Sequence, residues 1–244
     1  MRFNMNYLKP HLILIPGLMC DGAVWEHQRS NLQDVAAITI ADHGILDSLD
    51  AMAALILQNA PERFALAGHS MGGRVALEVV RRSPERITHL ALLDTAYRPR
   101  PAGIKGDEEA AERQRLLEKA RKEGMRAMGV EWVQLMVHPD RLSDTKLINA
   151  ILDMIERKTP EIFAAQIKAL LERPDATSLL QNLECPALVL CGRQDAWSVH
   201  GVHEEMASLI PHSRLKVIED CGHMSTMERP AEVTAALRDW LTSS

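Results

Sequence analysis

The chain has 244 residues, 46% of them hydrophobic and 25% charged, which is enough apolar material for a well-filled core without a disulfide or metal staple. A formal net charge of −5 lacks the basic footprint that nucleic-acid binding requires and disfavours an anionic membrane surface. Four scattered cysteines (Cys20, Cys185, Cys191, Cys221) match no metal spacing, residues 1–10 lack a secretory signal's apolar stretch, and no apolar run reaches the roughly 20 residues that span a bilayer, so cytoplasm is the default compartment.

Short apolar runs alternate with helical patterns along the chain, which is the mark of a parallel sheet covered by helices. Residues 11–16 form a continuous apolar run stopped by Pro16 and Gly17, as expected of a strand buried on both faces. A second strand is expected at 35–40. A helix follows at 47–59, with Leu49, Met52, Ala53, Ile56 and Leu57 on one side. A third strand is expected at 64–67, a helix at 71–82 and a fourth strand at 87–93. The alternation then breaks: residues 98–180 read as helical throughout, rich in Glu, Arg, Lys, Ala, Leu and Met. It resumes with a strand at 187–190, a helix at 202–209 and a strand at 215–218. A closing helix at 231–241 follows Pro230, placed where a first-turn proline is tolerated.

The expected fold is therefore α/β, a mainly parallel sheet of about six strands with helices on both faces and a helical insertion after the fourth strand. Residues 1–97 and 181–244 would form the core and 98–180 a cap. Ligands of open α/β sheets bind beyond the carboxyl ends of the strands, so the insertion would cover the site as a lid. Trp132 is a candidate substrate contact in that lid, with burial inside the cap as the equal alternative. Met125, Met128, Met136 and Met154 supply either adaptable pocket surface or the cap's own core.

Gly68-His69-Ser70-Met71-Gly72 lies between an expected strand and an expected helix. Such a turn leaves no room for side chains close to the serine, so glycines two residues before and after it let the backbone fold tightly. The hydroxyl is then lifted above the sheet at the positive end of a helix. The segment resembles the nucleophile elbow of the α/β-hydrolase superfamily, and the likeness extends over essentially the whole chain.

That resemblance implies a chain order of Ser, then Asp or Glu, then His. His223, in Cys221-Gly222-His223-Met224 just past the last strand, stands where the family carries its general base, which a serine needs because it is a poor nucleophile at its own pKa. His69 adjoins Ser70, but neighbours on a tight turn point apart, so it would line the pocket or pack beneath it. Asp195, in Gly192-Arg193-Gln194-Asp195, resembles the family's acid loop, and Asp94 after the fourth strand is the competitor. The Pro16–Asp21 segment resembles the oxyanion loop, with Pro16 where the family more often has histidine. By position the backbone donors would be the N–H groups of Leu18 and Met71. Cys20 nearby reads as a packed thiol.

Arg74 lies one helical turn beyond Ser70. In menaquinone-pathway lyases of this fold an arginine in a similar stretch binds an acidic substrate, while a surface-paired helix arginine is the plainer reading. His200 and His203 could pair on a metal, but no third ligand is near, and the family chemistry calls for neither metal nor cofactor. The expected activity is hydrolysis of a small ester, lactone or related acyl compound through an acyl-enzyme. Carbon–carbon cleavage or a lyase step with the same residues is the alternative, and a ligand receptor that keeps them is a third reading. Oligomeric state is left open.

Overall fold

The computed structural model describes residues 9–243; residues 1–8, read above for a secretory signal, lie outside it. Strand β1 (His11–Ile15) is the apolar run expected first. Asp21 then caps a 3₁₀ turn, Gly22–Trp25, by accepting from the Ala23 N–H, and a short helix α1 (Glu26–Asn31) follows. Neither was expected, since six polar-rich residues carry no periodic stripe. Strand β2 (Ala37–Ile40) starts two residues later than expected because the N–H groups of Val35 and Ala36 turn back onto the Leu32 carbonyl. Helix α2 (Leu49–Asn59) starts where the Ser48 hydroxyl accepts from the Ala51 N–H.

Strand β3 (Phe64–His69), helix α3 (Met71–Arg82) and strand β4 (Ile87–Leu93) complete the first half. Five helices without a strand then separate β4 from β5: α4 (Ile104–Glu123), α5 (Met125–Trp132), α6 (Thr145–Glu156), α7 (Pro160–Leu171) and α8 (Thr177–Gln181). The chain ends with β5 (Ala187–Gly192), α9 (His200–Leu209), β6 (Ser213–Ile218), α10 (Ser225–Glu228) and α11 (Pro230–Thr242).

All six strands run parallel in the order β2-β1-β3-β4-β5-β6. Successive strand side chains point to opposite faces, and every residue of β3 and β5 is buried, so both faces of the sheet are covered. Helix α3 packs on β3, β4 and α2, while α9 and α11 pack against β5 and β6. The chain steps outward from β1 to β2 and returns on the other side to β3. The loops leaving the carboxyl ends of β1 and β3 therefore diverge and open a crevice, the usual place for a ligand in such a sheet. No helix among the described residues is long and apolar enough to cross a membrane.

Candidate active site

Ser70 sits between β3 and α3 with φ 55° and ψ −118°, a conformation that side chains avoid. Its surroundings over-determine it. The Ser70 N–H donates to the Leu93 carbonyl (2.8 Å), and the Thr95 hydroxyl donates to the Ser70 carbonyl (2.7 Å), so the end of β4 grips the turn from both sides. A Cβ on Gly68 would come within 2.3 Å of the Gly72 carbonyl oxygen, and one on Gly72 within 2.1 Å of the Ile15 carbonyl oxygen. Only glycine fits at either place.

The loops after β5 and β6 bring the other two residues to this turn. His223 Nε2 lies 2.8 Å from Ser70 Oγ, and His223 Nδ1 lies 2.8 Å from Asp195 Oδ2. The other carboxylate oxygen, Asp195 Oδ1, accepts from the N–H groups of Trp197 (2.8 Å) and Ser198 (2.9 Å), which fixes the acid against its own loop. Burial opposes charge on both partners. The Asp195 carboxylate nevertheless raises the His223 pKa above its ordinary 6.5, and His223 with the two N–H donors keeps Asp195 below the usual carboxylate range.

Asp94 does not reach the His223 ring nitrogens. Its Oδ1 accepts from the Gly192 N–H (3.0 Å) and its Oδ2 meets the Ser225 hydroxyl, so it braces the loops that carry Asp195 and His223. Burial, and then the neighbouring Asp195 charge, push its pKa well above normal. His69 packs beneath the site, with Nε2 donating to the His223 carbonyl (2.8 Å), and burial lowers its pKa to about 3. Cys20 is a packed thiol pushed by burial to about 12, far from nucleophilic. His203 is fully buried and accepts from the Thr95 N–H (3.0 Å), while His200 faces Arg193 and Glu204, so the two histidines serve different partners.

The Leu18 N–H has no protein acceptor among the described residues, and Met71 opens α3, where an N–H has no partner within the helix. Met19, at φ 61°, donates instead to Gln166 Oε1 (2.9 Å) on α7. Sequence reasoning missed Gln166, because one polar residue on a helix carries no sign that it will be buried against a distant loop.

A cavity of about 480 Å³ opens over Ser70. Its lining includes Leu18, Met71, Met136, Phe163 and Trp197, and Trp132 bridges the two aromatic rings at centroid distances of 5.9 Å from Phe163 and 5.4 Å from Trp197. Trp132 is thus both buried within the insertion and part of the cavity lining. All four methionines of the insertion are buried, and Met136 alone among them lines the cavity.

The lining also carries three arginines, Arg74, Arg113 and Arg173, and three acids, Glu109, Glu112 and Glu131. Glu109 pairs with Arg113 (2.9 Å) and Arg173 (2.7 Å). Arg74 is not the surface-paired residue that the plainer reading expected: it is 9% exposed and donates to the Arg98 carbonyl (2.6 Å). Burial and then the Arg173 charge lower its pKa to about 9. Arg113 and Arg173 were not singled out from the sequence because charged residues mostly face solvent.

Residues 12–237 match the sequence model of a family described as the alpha/beta hydrolase family. The chain belongs to that family. This α/β-hydrolase is an enzyme whose relatives include esterases. It is 27% identical over 247 residues to a pimeloyl-[acyl-carrier protein] methyl ester esterase of Vibrio parahaemolyticus, covering 95% of this chain and 94% of that one. A solved thermophilic esterase from Thermogutta terrifontis, studied with malate bound, superposes with a TM-score of 0.84 at 33% identity, covering 95% of this chain and 89% of that one. A putative 2-succinyl-6-hydroxy-2,4-cyclohexadiene-1-carboxylate synthase of Bacillus subtilis is 24% identical over 188 residues, covering 73% of this α/β-hydrolase and 65% of that protein.

Proposed function

We propose that this α/β-hydrolase is a serine esterase that cleaves a small acyl compound, ester or lactone, through an acyl-enzyme. The observation that carries the proposal is the unbroken hydrogen-bonded chain from Ser70 through His223 to Asp195, opening onto the cavity. Ser70 Oγ attacks the carbonyl carbon as His223 Nε2 takes its proton, and Asp195 holds the ring in the tautomer that leaves Nε2 free to do so. The N–H groups of Leu18 and Met71 receive the oxyanion, each worth about 100- to 1,000-fold in rate. His223 then protonates the leaving alcohol, and water, deprotonated by the same nitrogen, releases the acid and restores Ser70. The Trp132 indole N–H, buried without a protein acceptor among the described residues, is a donor left for the substrate. Four unpaired thiols fit a cytoplasmic enzyme.

p-Nitrophenyl acetate and butyrate should be turned over, Ser70→Ala should lower kcat by about 10⁴-fold or more, and a fluorophosphonate should label Ser70. A wild-type protein that neither hydrolyses a broad ester panel nor takes the label would refute the reading.

The Arg74 guanidinium favours a second, finer reading in which the substrate carries a carboxylate. It is buried on the cavity wall and forms no ion pair among the described residues, although a charged group so placed is costly without a counter-ion. An acidic substrate would supply one, whether the reaction is ester hydrolysis or the alternative lyase-type step. Arg74→Ala should raise KM for monoalkyl dicarboxylate esters by about tenfold or more, one charge-assisted hydrogen bond being worth about 1.5–3 kcal/mol, and leave neutral esters nearly unaffected. Equal losses on both substrate types would remove the carboxylate from the proposal.

A further inference from the structure

The loop that carries His223 is buried from Cys221 to Met224, and its backbone N–H groups are all taken. Buried N–H groups must find acceptors, so the acceptors chosen reveal what holds the loop. The Cys221 N–H donates to Gln194 Oε1 (3.0 Å), beside the acid Asp195. The His223 N–H donates to the Met136 carbonyl (2.8 Å), and the Met224 N–H reaches the same oxygen (3.1 Å). The remaining donor is met by Glu228, at the end of α10: its Oε1 accepts from Gly222 (3.0 Å) and also from Met224 (3.2 Å), the residues on either side of His223. Its Oε2 accepts from the His138 N–H (2.8 Å), in the insertion between β4 and β5.

Glu228 is 2% exposed, and no part of the proposed chemistry uses it. A surface carboxylate would fill no such place, because an acid taken out of water must be repaid by several donors at once. The approach it secures is close: a Cβ on Gly222 would lie 2.7 Å from both the His138 nitrogen and the Val137 carbonyl carbon.

We propose that Glu228 is a positioning residue, a three-donor clamp that fixes the main chain on both sides of His223 and ties it to the Met136–His138 segment of the insertion. The imidazole is thereby aimed at Ser70 only while that segment is seated. The insertion then acts on the chemistry as well as on the substrate, since displacing Met136–His138 would release the loop that carries the base. This role rests on the reading of His223 as the general base.

The charged and titratable groups around His223 among the described residues are Asp195 on its Nδ1, Asp94 behind it, Glu228 on α10, Cys221 on its own loop, and His69 and His203 packed near it; Arg141 faces Glu228. Of these, only the Glu228 charge changes in Glu228→Gln, which keeps the shape but turns an NH₂ towards N–H donors. Such a variant should lose about 10- to 100-fold in kcat, the scale set by a misplacement of about 1 Å, with KM for a p-nitrophenyl ester within about twofold. The acid limb of its pH–rate profile should move to lower pH, because one negative charge near the imidazole is gone. Glu228→Asp, which keeps the charge but falls a methylene short, should lose kcat without moving the limb, and it serves should the glutamine variant fail to fold. A lowered Tm with kcat and the limb unchanged in either variant would show a purely structural acid and overturn the proposal. Wild-type protein that is inactive and unlabelled by a fluorophosphonate would instead refute the hydrolase reading, and the clamp with it.

Discussion

At the scale of single residues, the informative contrast is between two carboxyl groups within one buried cluster. Asp195 keeps its charge because His223 and two N–H donors stabilise it, whereas Asp94 has its pKa raised by burial and by Asp195 itself. The His223 Nδ1 hydrogen bond falls on Asp195, so Asp195 rather than Asp94 is placed to stabilise an imidazolium. A working base must be neutral, and the Asp195 charge makes His223 harder to deprotonate. The acid limb of kcat/KM should therefore lie above the ordinary imidazole value of 6.5, with activity rising as pH rises through it. Asp195→Asn should lower kcat by about 10⁴-fold and shift that limb downward. A limb unmoved by the substitution would mean that another group titrates.

At the scale of elements, strain gathers at one edge of the sheet. Among the described residues, four non-glycine residues have positive φ: Met19 after β1, Ser70 after β3, Asp94 after β4 and Asp220 after β6. Each costs about 1–3 kcal/mol, and each lies where a strand hands over to a loop that builds the site. Regular packing behind the edge holds these turns in place, and one close approach in it is where α3 begins beneath the end of β1. Gly72→Ala would drive a Cβ into the Ile15 carbonyl there. We expect a loss of about 2 kcal/mol, hence roughly 4–8 °C in Tm by calorimetry, together with lost activity as Ser70 is displaced. Unchanged melting would contradict the close approach.

At the scale of the whole molecule, the helices between β4 and β5 set the size of the cavity. Its volume of about 480 Å³ falls within the range of small-molecule sites, and its lining combines aromatic rings with three arginines and three glutamates. Trp132 packs between Phe163 and Trp197 in that lining. Replacing it by alanine should cost about 3–5 kcal/mol of stability and move the preferred acyl length upward, measured as kcat/KM over p-nitrophenyl esters from acetate to decanoate. A profile that stays unchanged would place Trp132 outside the substrate's path. Gln166 and Glu228 tie the same stretch of chain to the loops around Ser70: one joins α7 to the loop after β1, the other joins the segment after α5 to the loop of His223.

The local signals sufficed for much of this protein. The alternation of apolar runs and helical stripes determines the parallel sheet, and the glycines flanking Ser70 determine the turn, because strand period, helix period and the absence of a Cβ are properties of neighbouring residues. Asp195 and His223 were legible as candidates only through their places after strands, in the family's order. What the tertiary structure alone decided is which distant groups meet: Asp195 rather than Asp94 on the imidazole, Gln166 on Met19, Glu228 on the His138 N–H, and Arg74 in the cavity rather than in solvent. The physical reason is that burial and hydrogen-bond partnership depend on contacts between residues tens to hundreds of positions apart, and no periodicity in the chain encodes those distances.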